Sequence, residues 1–119
     1  MSKNAVIAGA VLSMVLGSIR PLHAGEAQSA KWAMPGCHEL IDRQGYGEQF
    51  RQGICAGQVN ALMDLSNELG LCAPAGITSG QAYRVVVKYI DSHPALQNEM
   101  FTELAWEALR KAWPCPEYP

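Results

Sequence analysis

The stretch Leu71 to Pro94, LCAPAGITSGQAYRVVVKYIDSHP, decides the fold. Thr78 followed three residues later by Gln81 has the spacing of a capping box, in which the Thr hydroxyl accepts the Gln backbone N–H and the Gln side chain reaches back to the Thr N–H. A helix therefore begins there. Ala82, Val85, Val86, Tyr89 and Ile90 recur at the spacing of one helical face, while Arg84, Lys88 and Asp91 fall on the others. Such a face requires a partner layer. Pro94 disfavours helical geometry at His93 and donates no backbone hydrogen bond, so the spacing predicts a helix over Ser79 to Ser92.

Working outward, the segment from Glu48 to Leu69 places Cys55, Val59, Leu62, Leu65 and Leu69 on one side of a second helix, which Gly70 stops. Gly53, Gly57 and Ala61 on the same helix are small residues at i, i+4 and i+8. Glycine inside a helix costs about 1 kcal/mol, so the stripe reads as tight helix packing, with a shallow partner groove as the alternative. On the other side of the central helix, Asn98 is an expected N-cap and Glu99 suits the positive helix start. Phe101, Leu104, Ala105, Ala108, Leu109 and Ala112 then form the apolar face of the last helix, which Pro114 ends. Glu107 and Lys111 make a favourable i,i+4 pair on its solvent side.

Before these helices, Pro35 and Gly36 open a short helical turn through Cys37, His38, Glu39, Leu40 and Ile41, closed by Gly45 and Gly47. Residues 25–34 read as a loose N-terminal arm whose one large anchor is Trp32. Residues 1–24 read as a signal peptide: Lys3 supplies the positive start, Ala5 to Ile19 the apolar run, and Leu22-His23-Ala24 a small residue at the cut. The run is short of the roughly 20 residues of a membrane span. The expected mature chain, Gly25 to Pro119, is one domain: an all-α, disulfide-stapled bundle of about four helices over residues 35–119.

Charge and cysteine usage bound the function. The whole chain has a formal charge of −2, and removing Lys3 and Arg20 leaves seven Lys and Arg against eleven Asp and Glu. A mildly acidic domain with scattered cations lacks the basic stripe that displaces counterions from nucleic-acid phosphates. All four cysteines, Cys37, Cys55, Cys72 and Cys115, lie in the exported part, which fits disulfides in an oxidising compartment such as the bacterial periplasm. An alternating path of helices puts Cys37 near Cys55, and Cys72 near Cys115 at the other end. Of the three possible pairings, topology selects Cys37–Cys55 with Cys72–Cys115.

The chemistry of catalysis and of cofactors is not legible in these residues. The cysteines lack the close ligand pairs of a zinc site, and Cys37-His38 are neighbours whose side chains diverge on a helix. Asp91-Ser92-His93 contains the residue types of a hydrolytic triad, but sequence neighbours cannot relay a proton between converging side chains. Glu103 and Glu107, one turn apart on an exposed face, are solvated charge. No metal, cofactor or catalytic residue is expected. What remains is surface: Trp106 and Tyr83 lie off the buried faces, and the connection carrying His93, Gln97, Asn98 and Glu99 is a polar loop between rigid helices, where recognition commonly sits.

The pieces PGCHELI, FRQGICAGQVNAL, LCAP-GIT-GQA, RVVVKYIDSHP and LAWEALRKAWPCP, in this order over Pro35 to Pro116, resemble the Rap/Tai family of exported immunity proteins associated with type VI secretion. The resemblance implies a small helical periplasmic domain, often a homodimer, that binds a toxin injected by a neighbouring cell. Family members are similar in plugging the active-site cleft of peptidoglycan-cleaving amidases. A competing expectation is an envelope stress protein of the acid-chaperone type, which binds many unfolded clients weakly.

Overall fold

The computed structural model describes residues 28–43 and 47–117. The expected signal peptide therefore lies outside the described residues. Four helices, α1 (Ala30–Asp42), α2 (Gln49–Asp64), α3 (Ser79–Asp91) and α4 (Phe101–Ala112), pack around one core, with a 3₁₀ turn at Pro94–Leu96 between α3 and α4. The described residues contain two isolated β-bridges and no strand. The chain is a small all-α domain.

α1 starts earlier than the sequence reading places it. The Ser29 hydroxyl accepts the Trp32 N–H, and Ala30, Ala33, Met34 and Cys37 continue one buried face through the turn that Pro35 was expected to open. Residues 30–34 thus belong to the helix rather than to a loose arm. Pro35 forfeits one backbone hydrogen bond inside α1, and burial of this face offsets that loss. Arg43, in the left-handed conformation at φ 53°, donates its N–H to the Glu39 carbonyl and ends the helix.

α2 is held at its start by a side chain of α1. One Glu39 carboxylate oxygen accepts both the Glu48 backbone N–H, at 3.1 Å, and the Gln52 side-chain amide, at 2.8 Å. Cys55, Val59 and Leu62 are buried, whereas Leu65 is 53% exposed. Leu65 was expected on the buried side; the helix ends at Asp64 and the chain turns through 65–70, which carries that side chain outward. Gly70, at φ +71°, completes the turn. The small-residue stripe also faces out: Gly53, Gly57 and Ala61 are exposed, and a Cβ on either glycine would meet nothing within 4 Å.

α3 matches its sequence signature, with both halves of the Thr78–Gln81 capping box formed. Ala82, Val86, Val87 and Ile90 are buried, and Val85 and Tyr89 half-buried. α4 buries Phe101, Leu104, Ala105, Ala108 and Leu109, while Ala112, in its last turn, is exposed. Its N-cap is Met100 instead of Asn98, because the 3₁₀ turn and a bridge between Ser29 and Met100 delay the helix to Phe101.

Both disulfides join the expected partners. Cys37–Cys55 ties α1 to α2 in the core, and Cys72–Cys115 joins the segment after α2 to the segment after α4. Around the second bridge, Cys72 N–H donates to the Trp113 carbonyl and Cys115 N–H to the Gly70 carbonyl, so backbone pairing aligns the two segments.

Candidate functional site

The connection from α3 to α4 is short and internally tied. His93 N–H donates to the Ile90 carbonyl, Leu96 N–H to the His93 carbonyl, and Glu99 N–H to the Leu96 carbonyl. The Gln97 side-chain amide donates to the Ile90 carbonyl at 3.1 Å. His93 lies against its own helix, its ring stacked on Tyr89 with centroids 4.2 Å apart and Nδ1 2.6 Å from the Tyr89 carbonyl oxygen. From the other side, Ala30 N–H donates to the Glu99 carbonyl at 2.9 Å and Lys31 N–H to the Gln97 carbonyl at 2.7 Å. Of the four loop residues singled out from sequence, His93 and Gln97 point into these contacts; Asn98 and Glu99, with Pro94 and Ala95, are exposed.

The two aromatics expected off the buried faces are both half-buried. Tyr83 is ten residues before His93, roughly 15 Å along α3, and its hydroxyl donates to Asn60 Oδ1 at 3.1 Å. It lines a cleft of about 610 Å³ between α1, α2 and α3, together with Glu39, Arg43, Gln52 and Arg84. Trp106 is half-buried, donating its indole N–H to the Leu69 carbonyl at 3.0 Å under the Arg110 guanidinium, which lies 4.7 Å from the ring centroid. Each side chain thus has a hydrogen-bond partner on another segment of the chain.

Beside the loop, Val85 and Tyr89 of α3 and His93 just after it face Ala108, Lys111 and Ala112 of α4 across an open groove of about 410 Å³. Lys111 Nζ closes one wall: it lies 3.0 Å from Glu107 Oε1 and donates to the Tyr89 hydroxyl at 3.2 Å. The hydrogen bond from Lys111 holds the Glu107 carboxyl below its ordinary value of 4.5. The reciprocal bond lifts Lys111 above 10.5.

A further surface feature escaped the sequence reading. Phe50 is 73% exposed and meets Trp32 edge-on at 6.0 Å, while Arg51 lies 5.0 Å over the Trp32 ring. Phe50 precedes Cys55 by five positions and so falls off the buried face of α2. An exposed aromatic at the helix start was the available signal.

The residues resembling a triad do not converge. Asp91 accepts from His38 of α1 at 3.1 Å, the Ser92 hydroxyl donates to the Lys88 carbonyl, and His93 faces Tyr89. Among the described residues no group of three His, Cys, Asp or Glu could hold a metal ion, and no helix is long and apolar enough to cross a membrane.

The model of the Rap1a immunity proteins matches residues 28–115, from the segment capping α1 to the last disulfide cysteine. The chain belongs to the Rap1a immunity proteins. Neither a curated protein nor a solved structure matches it. Membership of the Rap1a family points to an immunity protein against a type VI effector, and so to work done by binding a toxin. Two disulfides together with this family are the marks of an exported protein. In a Rap1a protein the functional element to seek is a contact surface.

Proposed function

We propose that the chain is a periplasmic immunity protein, exported by cleavage after Ala24, that neutralises a peptidoglycan-cleaving amidase by occluding its active site with the loop between α3 and α4. The observation that supports this reading is the tied backbone of residues 93–99, which presents Pro94, Ala95, Asn98 and Glu99 outward while its carbonyls are held from behind. Inserting a preformed loop into a cleft forgoes little conformational entropy, so binding energy is retained as affinity. No cofactor takes part. Asn98 and Glu99 supply the polar contacts; His93 and Gln97 shape the loop; Tyr83 and Trp106 tie α3 and α4 to α2 and the turn that follows it. A homodimer is compatible with this arrangement, with Phe50, exposed beside the half-buried Trp32, as apolar surface outside the loop.

The test is co-expression of the chain with a periplasm-directed type VI amidase from the same genome. Growth should be rescued and peptidoglycan crosslinks preserved, and the Asn98→Ala, Glu99→Ala double variant should lose protection while remaining folded. Undiminished protection by that variant would exclude the loop. Weak capture of many envelope proteins on acidification would favour the acid-chaperone alternative.

A further inference from the structure

The first N–H groups of a helix have no acceptor within it and must find one elsewhere. In α1 the Ser29 hydroxyl takes the Trp32 N–H, at 3.3 Å, and the two donors before it cross to the α3–α4 connection. Ala30 N–H reaches the Glu99 carbonyl at 2.9 Å and Lys31 N–H the Gln97 carbonyl at 2.7 Å. These acceptors are the carbonyls on either side of Asn98, so the backbone is held just before and just after it. Ser29 and Met100 add a bridge immediately alongside. The loop's own bonds engage the His93 and Leu96 carbonyls and the Glu99 N–H, but leave the carbonyls of Gln97 and Glu99 to α1. Ala30 is completely buried, so water does not substitute for its bond.

We propose that residues 29–31 are a positioning element for the recognition loop: the first turn of α1 sets the backbone at Gln97 to Glu99, and the contact surface is complete only while this turn is intact. Trimming the chain past Ser29 would unlatch a loop some 66 to 70 residues away in sequence without touching any residue that meets the partner. The functional half of this inference rests on the loop's being the contact region.

The decisive comparison is amide exchange by NMR on the oxidised protein, as parent, Lys31→Pro and Lys31→Ala. Lys31 is exposed and in the first helical turn, where proline is tolerated, so Lys31→Pro deletes one donor while Lys31→Ala keeps it. Exchange at the Glu99 amide should accelerate roughly tenfold in Lys31→Pro, the worth of one hydrogen bond. It should stay at the parent rate in Lys31→Ala, with α3 amides unchanged in both. Unchanged exchange at Glu99 in Lys31→Pro overturns the proposal. In the parent itself the Ala30 and Lys31 amides should exchange slowly, like those of a helix interior; fast exchange there overturns the proposal even if Lys31→Pro fails to fold. Binding to the amidase used in co-expression separates the two ideas. Faster exchange with undiminished binding would sink the loop as contact region and leave the latch standing.

Discussion

Gly36 of α1 lies directly against the α2 backbone at Arg51: a Cβ on Gly36 would fall 2.5 Å from the Gln52 nitrogen and collide with Arg51. This is the closest approach that any described glycine makes. Because the obstacle is largely backbone, Gly36→Ala must push the helices apart next to the Cys37–Cys55 bridge, and we expect a loss of about 1–3 kcal/mol. Gly53→Ala and Gly57→Ala should act oppositely, gaining about 0.5–1 kcal/mol each, because both sites are helical and open. Urea midpoints of the three variants check the signs; a destabilised Gly57→Ala would mean that its face is covered.

The two disulfides should differ in accessibility. Cys37 and Cys55 are completely buried, whereas Cys72 is exposed at the domain surface. Under limiting reductant, alkylation followed by mass spectrometry should trap Cys72 and Cys115 as free thiols first. In the chain-entropy description the bridges contribute about 3 and 4 kcal/mol, so replacing both Cys72 and Cys115 by Ser should lower stability more than any single surface substitution. Simultaneous loss of both bridges would show that the surface bond opens only with global unfolding.

How far the sequence disclosed this arrangement depended on whether the determining interactions were local. α3 was legible because the Thr78–Gln81 box and its apolar face lie within one helix. α1 was not: Pro35 signalled a boundary that burial of Ala30, Ala33 and Met34 overrides, and a core contact cannot be read from one segment. The small stripe on α2 likewise suggested close packing where the partner helix is absent, while the real close approach fell on Gly36, which looked like a turn residue. The loop was located correctly as a connection, yet its shape depends on Ala30 and Lys31, whose backbone donors carry no sequence signal.

Trp106 offers a direct separation of scaffold from surface. Its indole N–H serves the Leu69 carbonyl, which no phenyl ring can reach as a donor. Trp106→Phe should therefore cost about 1–3 kcal/mol, through the lost bond and the acceptor left without it. Thermal unfolding would show a drop of several degrees, at about 4–8 °C per kcal/mol for a domain of this size. If the proposed function holds, protection in the amidase co-expression test should persist below the new unfolding temperature. Loss of protection without loss of stability would return Trp106 to the contact surface.

The pair Glu107–Lys111 sets a pH dependence whose sign is fixed by the two shifts. The hydrogen bond from Lys111 holds the Glu107 carboxyl below 4.5, with a smaller contribution from Tyr89. A depressed carboxyl contributes stability that is present above its unfolded value and is lost as pH falls through the lower, folded one. Lys111 is raised above 10.5, first by Glu107 and then by Tyr89, so its contribution is present below its unfolded value and fades as pH rises through the folded one. Between these limits the pair is intact and stability from it is flat. Glu107→Gln should therefore differ from the parent across the neutral range, and the difference should vanish as pH is lowered through the carboxylate range. Added salt should shrink it at neutral pH, because both side chains are accessible to solvent. Urea midpoints of parent and variant along a pH series provide the check. A gap that persists after the carboxyl is protonated would place the effect in contacts of residue 107 that do not depend on its charge.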